Sequence, residues 1–271
     1  ASKANRGQKL IPSRVEVFAK ENSLNLRTPD SLDNNQEYNY LKKLEPDIVV
    51  VIAYGKIIPK KFLNLSKYGF VNVHASLLPK WRGAAPIQRS IMNLDNQTGI
   101  SIMKIVEELD AGPVMHQDKI QINEKIDTLT LSKILSKLGA NSILNAIDKI
   151  EKGEARFKEQ NHSEATYAKK ISKEEGRINW NQSAKKVLAK INGLNPNPGA
   201  WFEYKNERFK VWKARIINKT SDPGRTIDDE LTIACSEQSI KILEIQKEGK
   251  SRQLVDQFLL GNKIAEGINI N

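Results

Sequence analysis

The chain has 271 residues, a mass of 30.6 kDa, a formal net charge of +11 and an isoelectric point near 9.5. That length holds one large domain or two ordinary ones, with two the better fit, and the charge favours a polyanionic partner such as nucleic acid. A single cysteine, Cys235, excludes an internal disulfide and a cysteine-clustered metal site, while the lack of a span-length apolar stretch or a signal-peptide pattern gives the cytoplasm as the expected compartment.

The opening ASKANRGQKLIPS has the composition of a loop, and Ala1 is not a start methionine. Pro12, followed by Val15, Val17 and Phe18, predicts a short helix ending near Asn22, and residues 24–26 a brief strand. Residues 34–44 read as a helix. Residues 47–53, with VVVIA unbroken, read as a strand buried on both faces. A helix from Pro59 leads to a strand at 70–75, and Pro86 opens a helix toward Leu94. Residues 99–106 and 114–122 read as strands on either side of a turn at Asp110. Residues 128–150 carry Leu131, Leu135, Leu138, Ile143, Ile147 and Ile150 at helical spacing, with Gly139 as the expected break. This alternation is that of an α/β domain with a doubly wound sheet, over residues 1–153.

Residues 154–164 are polar and unpatterned, the composition of a linker. Beyond them, short strands are expected at 166–168, 177–180, 199–204, 209–216, 231–234 and 240–246, with one helix at 183–191. That spacing predicts a small β-barrel over residues 165–271. Residues 165–215 hold 12 Lys or Arg against 4 Asp or Glu, whereas residues 216–271 hold 7 against 9. The barrel is therefore polarised. Trp180, Trp201, Phe202, Tyr204, Phe209 and Trp212 lie among the basic residues, as they would in an RNA-facing barrel, although a core of aromatics beneath solvated lysines would give the same pattern.

The most informative stretch is VNVHASLLPKWRGAAPIQ at 71–88. Asn72 and His74 stand two apart in a β-branched run, so they share one face of a strand that stops at Ser76. A strand end that aims an amide donor and a titratable ring into a loop is a common way for α/β enzymes to present chemistry. Two satisfied polar groups at a sheet edge would look the same, and Asp110, in EELDAGP, reads equally well as a turn former. The Leu, Pro, Trp, Arg and Gly that follow His74 make a rigid, partly apolar rim that a solvated loop would not need. His116 and His162 read as surface or packing residues. Three histidines without partners at ligand spacing give an expectation of no metal, and no phosphate-cradling glycine motif is present.

The run at 71–88 closely resembles the signature of the methionyl-tRNA formyltransferase family. DIVVVIAYGKIIP at 47–59 is similar to that family's folate-side strand and loop, and GISIMKIVEELDAGPV at 99–114 to the segment that carries its catalytic aspartate. The resemblance implies a Rossmann-like catalytic domain followed by an OB-like, tRNA-binding barrel. It also implies formyl transfer from 10-formyltetrahydrofolate to the α-amine of methionyl initiator tRNA. Catalytic roles fall to Asn72, His74 and Asp110. The folate site is implied at Ser76, Leu77, Leu78 and Pro79, with Ile52, Tyr54 and Gly55, and tRNA contacts at Arg6 and Lys9 in RGQKL. Asn5 and Gln8 depart from the glycine and the basic residue usual there. The family carries a further β-α-β stretch, on the order of 30 residues, before this point, so the catalytic domain is expected to be N-terminally incomplete. A monomer without membrane attachment is expected. Related formyltransferases acting on sugar nucleotides or purine precursors share the Asn, His and Asp, and an RNA-binding module that keeps the folate site without turnover is a third reading.

Overall fold

The structure, a computed structural model, describes the backbone of residues 2–4 and 9–270 and the side chains of residues 12–270. Where a loop was expected, β1 (Ser2–Ala4) and β2 (Lys9–Ile11) pair antiparallel. Helix α1 (Arg14–Glu21) starts at Ser13 rather than Pro12, because the Ser13 hydroxyl accepts from the Glu16 amide at 3.1 Å and so caps the first turn. No strand forms at 24–26. The Leu24 amide instead closes onto the Ala19 carbonyl at the end of the helix. Helix α2 (Asn35–Leu44) is capped in the same way by Asn34.

Strand β3 (Val49–Ile52) leads through the short α3 (Lys60–Leu63) to β4 (Phe70–His74). A two-residue strand β5 (Arg82–Gly83) and α4 (Pro86–Met92) follow, then β6 (Gln97–Lys104), β7 (Val114–Gln121) and α5 (Thr128–Glu151). The sheet order is β3-β4-β6-β7, parallel between β3 and β4 and antiparallel elsewhere. Strand β3 is not buried on both faces as the VVVIA run predicts. It is the outermost strand of this order, and Val50 and Ile52 are 37% and 61% exposed in alternation with half-buried neighbours.

Helix α5 runs 24 residues without a break at Gly139. A β-carbon there would lie 2.9 Å from the Val73 side chain, so the glycine lets the helix approach β4 and does not interrupt it. The approach buries Leu131, Leu135, Ile143, Ala146 and Ile150 against Val71, Ile100 and Ile102, each large apolar side chain contributing about 1.5–3 kcal/mol.

After α5 the chain crosses the first unit again through β8 (Tyr167–Ala168), then forms α6 (Ala184–Leu194), β9 (Ala200–Tyr204) and β10 (Glu207–Ile217). Strands β11 (Thr232–Ala234), β12 (Ser239–Lys247) and β13 (Gln253–Leu254) and helix α7 (Val255–Gly261) complete it. The antiparallel sheet, ordered β11-β12-β10-β9 with β13 on β12, curls around a second core running from Ile178 to Ile270. Residues 177–180 are not a strand. Arg177 makes one bridge to Trp201, while Ile178 and Trp180 turn into the core. Helix α7 went unpredicted because only Val255 and Phe258 of its seven residues are buried, too few to set a period.

The six aromatics divide between the two readings. Trp180, Phe202 and Phe209 are core, and half-buried Tyr204 packs against it. Trp201 and Trp212 lie on the outer face, with the Arg208 guanidinium 3.7 Å from the Trp201 ring and Lys210 and Arg252 4.2 and 4.8 Å from that of Trp212.

Cys235 is 1% exposed in this second core, and burial pushes its thiol up to about 12. An unfolded thiol ionises near its ordinary value of 9.0, so the unfolded state releases a proton before the folded one does. Stability from this group is intact below pH 9 and is lost between pH 9 and 12. Modification by an aromatic disulfide reagent is therefore expected to track global unfolding at pH 8. Rapid labelling of the folded protein would contradict the burial.

Candidate active site

Parallel pairing with β3 and antiparallel pairing with β6 fix β4 centrally, so its C-terminal end delivers Asn72 and His74 to the edge of the sheet where the 75–85 loop begins. The Asn72 amide is half-buried and makes no hydrogen bond among the described residues. It is a donor held on a rigid strand with its valence open.

His74 is 6% exposed. Its Nε2 lies 2.9 Å from the Trp81 carbonyl oxygen, and its Nδ1 lies 3.6 Å from Asp110 Oδ2. Both partner atoms are acceptors; the Nε2 contact is within hydrogen-bond range, while the Nδ1 contact lies beyond it. The Asp110 carboxylate is itself fixed, because Oδ2 also accepts the Gly83 N–H at 2.8 Å. Trp81 and Asp110 both sit at positive φ, 61° and 49°, a conformation that costs a non-glycine residue on the order of 1 kcal/mol or more and persists where surroundings impose it. Gly83, at φ 111°, has no room for a side chain: a β-carbon would lie 3.0 Å from the Ala168 carbonyl oxygen.

The loop from His74 to α4 is stitched on two sides. Toward the sheet, Ser101, the register partner of His74, donates from Oγ to the Ser76 carbonyl at 2.7 Å and accepts from the Leu78 amide at 3.0 Å. Gln117 donates to the Leu78 carbonyl and to the same hydroxyl. Toward the second unit, β5 pairs with β8, and the amides of Trp81 and Arg82 bond to Thr166. Ser101, Gln117 and Thr166 carry no motif signal; only the register places them here.

Of the sequence-predicted folate residues, Ser76 and Leu78 are buried, and the Ser76 hydroxyl donates to the Lys80 carbonyl. They shape the loop through their backbone. Ile52 at the end of β3 and Tyr54 and Gly55 just past it lie exposed, near a loop whose Leu109 is 59% exposed and whose Glu107 pairs with Lys60 at 2.6 Å. An open apolar lip between two loops suits a flat aromatic group. Arg6 lies outside the described residues, as does the side chain of Lys9. His116 is exposed and 3.1 Å from Asp118, and His162 is exposed. Among the described residues no cluster of His, Cys, Asp and Glu has metal-binding geometry.

An amide and an imidazole on a central strand, with a carboxylate brought beside them by the loop between β6 and β7, have the chemical capacity for acyl-type transfer without a covalent intermediate. The Formyl transferase family profile matches residues 2–147, and the profile of its C-terminal domain matches residues 170–263. The chain belongs to the formyl transferase family. Within that family it is 50% identical to the methionyl-tRNA formyltransferase of Pelagibacter ubique, over 99% of this chain and 87% of that protein. It is 40% identical to the methionyl-tRNA formyltransferase of Caldanaerobacter subterraneus, over 97% and 86%. Solved structures share the fold at lower identity. HypX from Aquifex aeolicus in complex with tetrahydrofolic acid superposes with a TM-score of 0.65 at 19% identity, over 86% of this chain and 42% of that one. The N-formyltransferase of Helicobacter canadensis with folinic acid and dTDP-3-aminofucose gives 0.67 at 17%, over 89% and 87%. No described helix is long and apolar enough to cross a membrane.

Proposed function

We propose that this chain transfers the formyl group of 10-formyltetrahydrofolate to the α-amine of methionine esterified to initiator tRNA, in the cytoplasm, as a monomer. The observation that carries the reading is the joint geometry of Asn72, His74 and Asp110, set beside 50% identity to a methionyl-tRNA formyltransferase over nearly the whole chain. The folate supplies an activated one-carbon unit. It rests against Ser76, Leu77, Leu78 and Pro79 on one side and Ile52, Tyr54 and Gly55 on the other, where exposed apolar side chains and open backbone fit its ring.

The chain's own residues then act at the strand end. The unpaired Asn72 amide donates to the formyl oxygen as negative charge gathers there, an interaction whose loss costs about 100 to 1000-fold in comparable sites. His74 is the second donor, or the group that carries a proton between the attacking amine and the departing nitrogen, and Asp110 holds the charged ring. The acceptor end approaches through a groove of about 590 Å³ lined by Trp81, Arg89, Tyr167, Lys169, Lys170 and Glu175. That groove joins Trp81, whose carbonyl holds His74, to Lys169 and Lys170 in the basic stretch 165–215. Arg6 and Lys9 are further tRNA contacts on this reading. Two separate apolar cores, one ending at Ile150 and one beginning at Ile178, support a catalytic domain at 1–153, a connector at 154–164 and a barrel at 165–271.

The test is formyl transfer to charged initiator tRNA measured beside transfer to an amino-sugar nucleotide. Formyl-methionyl-tRNA is the expected product. Turnover confined to the sugar amine would overturn the assignment.

A further inference from the structure

Arg82 is 1% exposed, one of the largest side chains buried in this fold. A buried guanidinium is costly unless it is paired. Its nearest carboxylate, Glu108, is 3.4 Å away and 60% exposed, so the pairing is loose and solvent-screened. What fills the fork is a neutral group: Nε and Nη2 both donate to Gln160 Oε1, at 3.1 and 2.9 Å. Gln160 is itself buried, and its Nε2 donates to the Asp110 carbonyl at 2.8 Å and to the Gly112 carbonyl at 2.7 Å. One amide thus spends its acceptor on a buried cation and both donors on the backbone either side of Ala111.

Such an arrangement is a poor way to gain stability, since an apolar pair of equal volume would avoid desolvating a charge. It is a precise way to hold a loop. We propose that Gln160, oriented by Arg82, is a positioning residue for the catalytic aspartate, and that the segment following α5 is therefore part of the active site. The proposal rests on the reading of Asp110 as the partner of His74. Asp110 lies at positive φ and reaches His74 at 3.6 Å, already beyond good hydrogen-bond range. A small further drift of its backbone would break the contact with the ring. Gln160 clamps the carbonyl of that residue while the Gly83 amide clamps its carboxylate.

Gln160→Glu separates position from packing. The glutamate keeps the volume and an acceptor for Arg82, so the buried cation stays paired, but it turns both donors into an acceptor that repels the two carbonyls. The expected result is kcat for formyl transfer lowered by about 10 to 100-fold, the scale of a misplaced catalytic group, little change in the KM for the folate donor, and a smaller drop in Tm than full loss of the contacts brings, because Arg82 keeps its partner. Gln160→Met, which keeps length without any hydrogen bond, should lose as much kcat and lower the Tm further. The ring resonances of His74, readable because the chain has only 3 histidines, give a signature that needs no turnover. In Gln160→Glu they should move toward their positions in Asp110→Asn. Parent-like kcat in a folded Gln160→Glu protein, or unmoved His74 resonances, overturns the proposal. If Asp110→Asn turns over like the parent, the reading of Asp110 falls first and takes the brace with it; an inactive Asp110→Asn beside an active Gln160→Glu sinks the brace alone.

Discussion

Asn72→Ala and His74→Ala are each expected to lower turnover by about 100-fold or more while folate affinity changes little, since both groups interact most strongly when charge has built up on the formyl oxygen. The geometry makes the two losses different in kind. Asn72 has no partner among the described residues, so its removal leaves nothing behind unpaired and the fold should be unaffected. His74 is buried between a carbonyl and a carboxylate, so its removal leaves the Trp81 oxygen without its donor and should cost stability as well, about 1–3 kcal/mol. Asp110→Asn keeps size and removes the charge. It should approach the His74→Ala loss, because the remaining amide can no longer support a charged ring. Steady-state rates with folate titrations decide the matter. A parallel loss of folate binding in Asn72→Ala would make that residue structural, and near-parent activity in Asp110→Asn would remove it from the mechanism.

What the sequence could and could not say follows from the range of the interactions involved. Local signals were faithful: the helices read at 34–44 and 128–150, which Asn34 and Asp127 cap, Pro86 opening a helix, and the register of Asn72 and His74 on one strand depend on residues within a turn of each other. Signals that depend on what lies across the molecule were not. VVVIA reads as doubly buried because a run of valines carries no information about which neighbours a strand will have. Gly139 reads as a break because its reason, the Val73 side chain on β4, is 66 positions away in the chain. Residues 154–164 read as a linker because polar side chains without a period look solvated. Yet Gln160 is buried against the loop that carries Asp110, and its partners stand 48, 50 and 78 positions away. The aromatics could not be sorted from spacing either, since alternation along β9 and β10 puts Phe202 and Phe209 in the core and Trp201 and Trp212 outside.

Those outer aromatics and the charge around them set the second large effect. The proposed binding of tRNA should weaken steeply with salt, because each phosphate neutralised on duplex releases a counterion and contributes about 0.9 log units of affinity per log unit of salt. With 12 basic residues in 165–215 against 4 acidic ones, and Arg177, Arg208, Lys210 and Arg252 gathered over Trp201 and Trp212, the expectation is on the order of six phosphate contacts. That number of contacts corresponds to a loss of roughly 1000-fold or more in affinity between about 50 and 200 mM salt. Folate binding, with at most a few charges involved, should hardly change over the same range. The slope also locates the surface. Lys169→Ala and Lys170→Ala, in the groove beside Trp81, should each reduce it by about 1 if that lysine meets a phosphate. Substituting Lys241, which already pairs with Glu230 on the less basic half of the barrel, should leave it unchanged. A slope near zero in the parent would show that the net charge has no part in tRNA recognition. A normal slope that neither groove variant alters would move the tRNA to another face of the molecule.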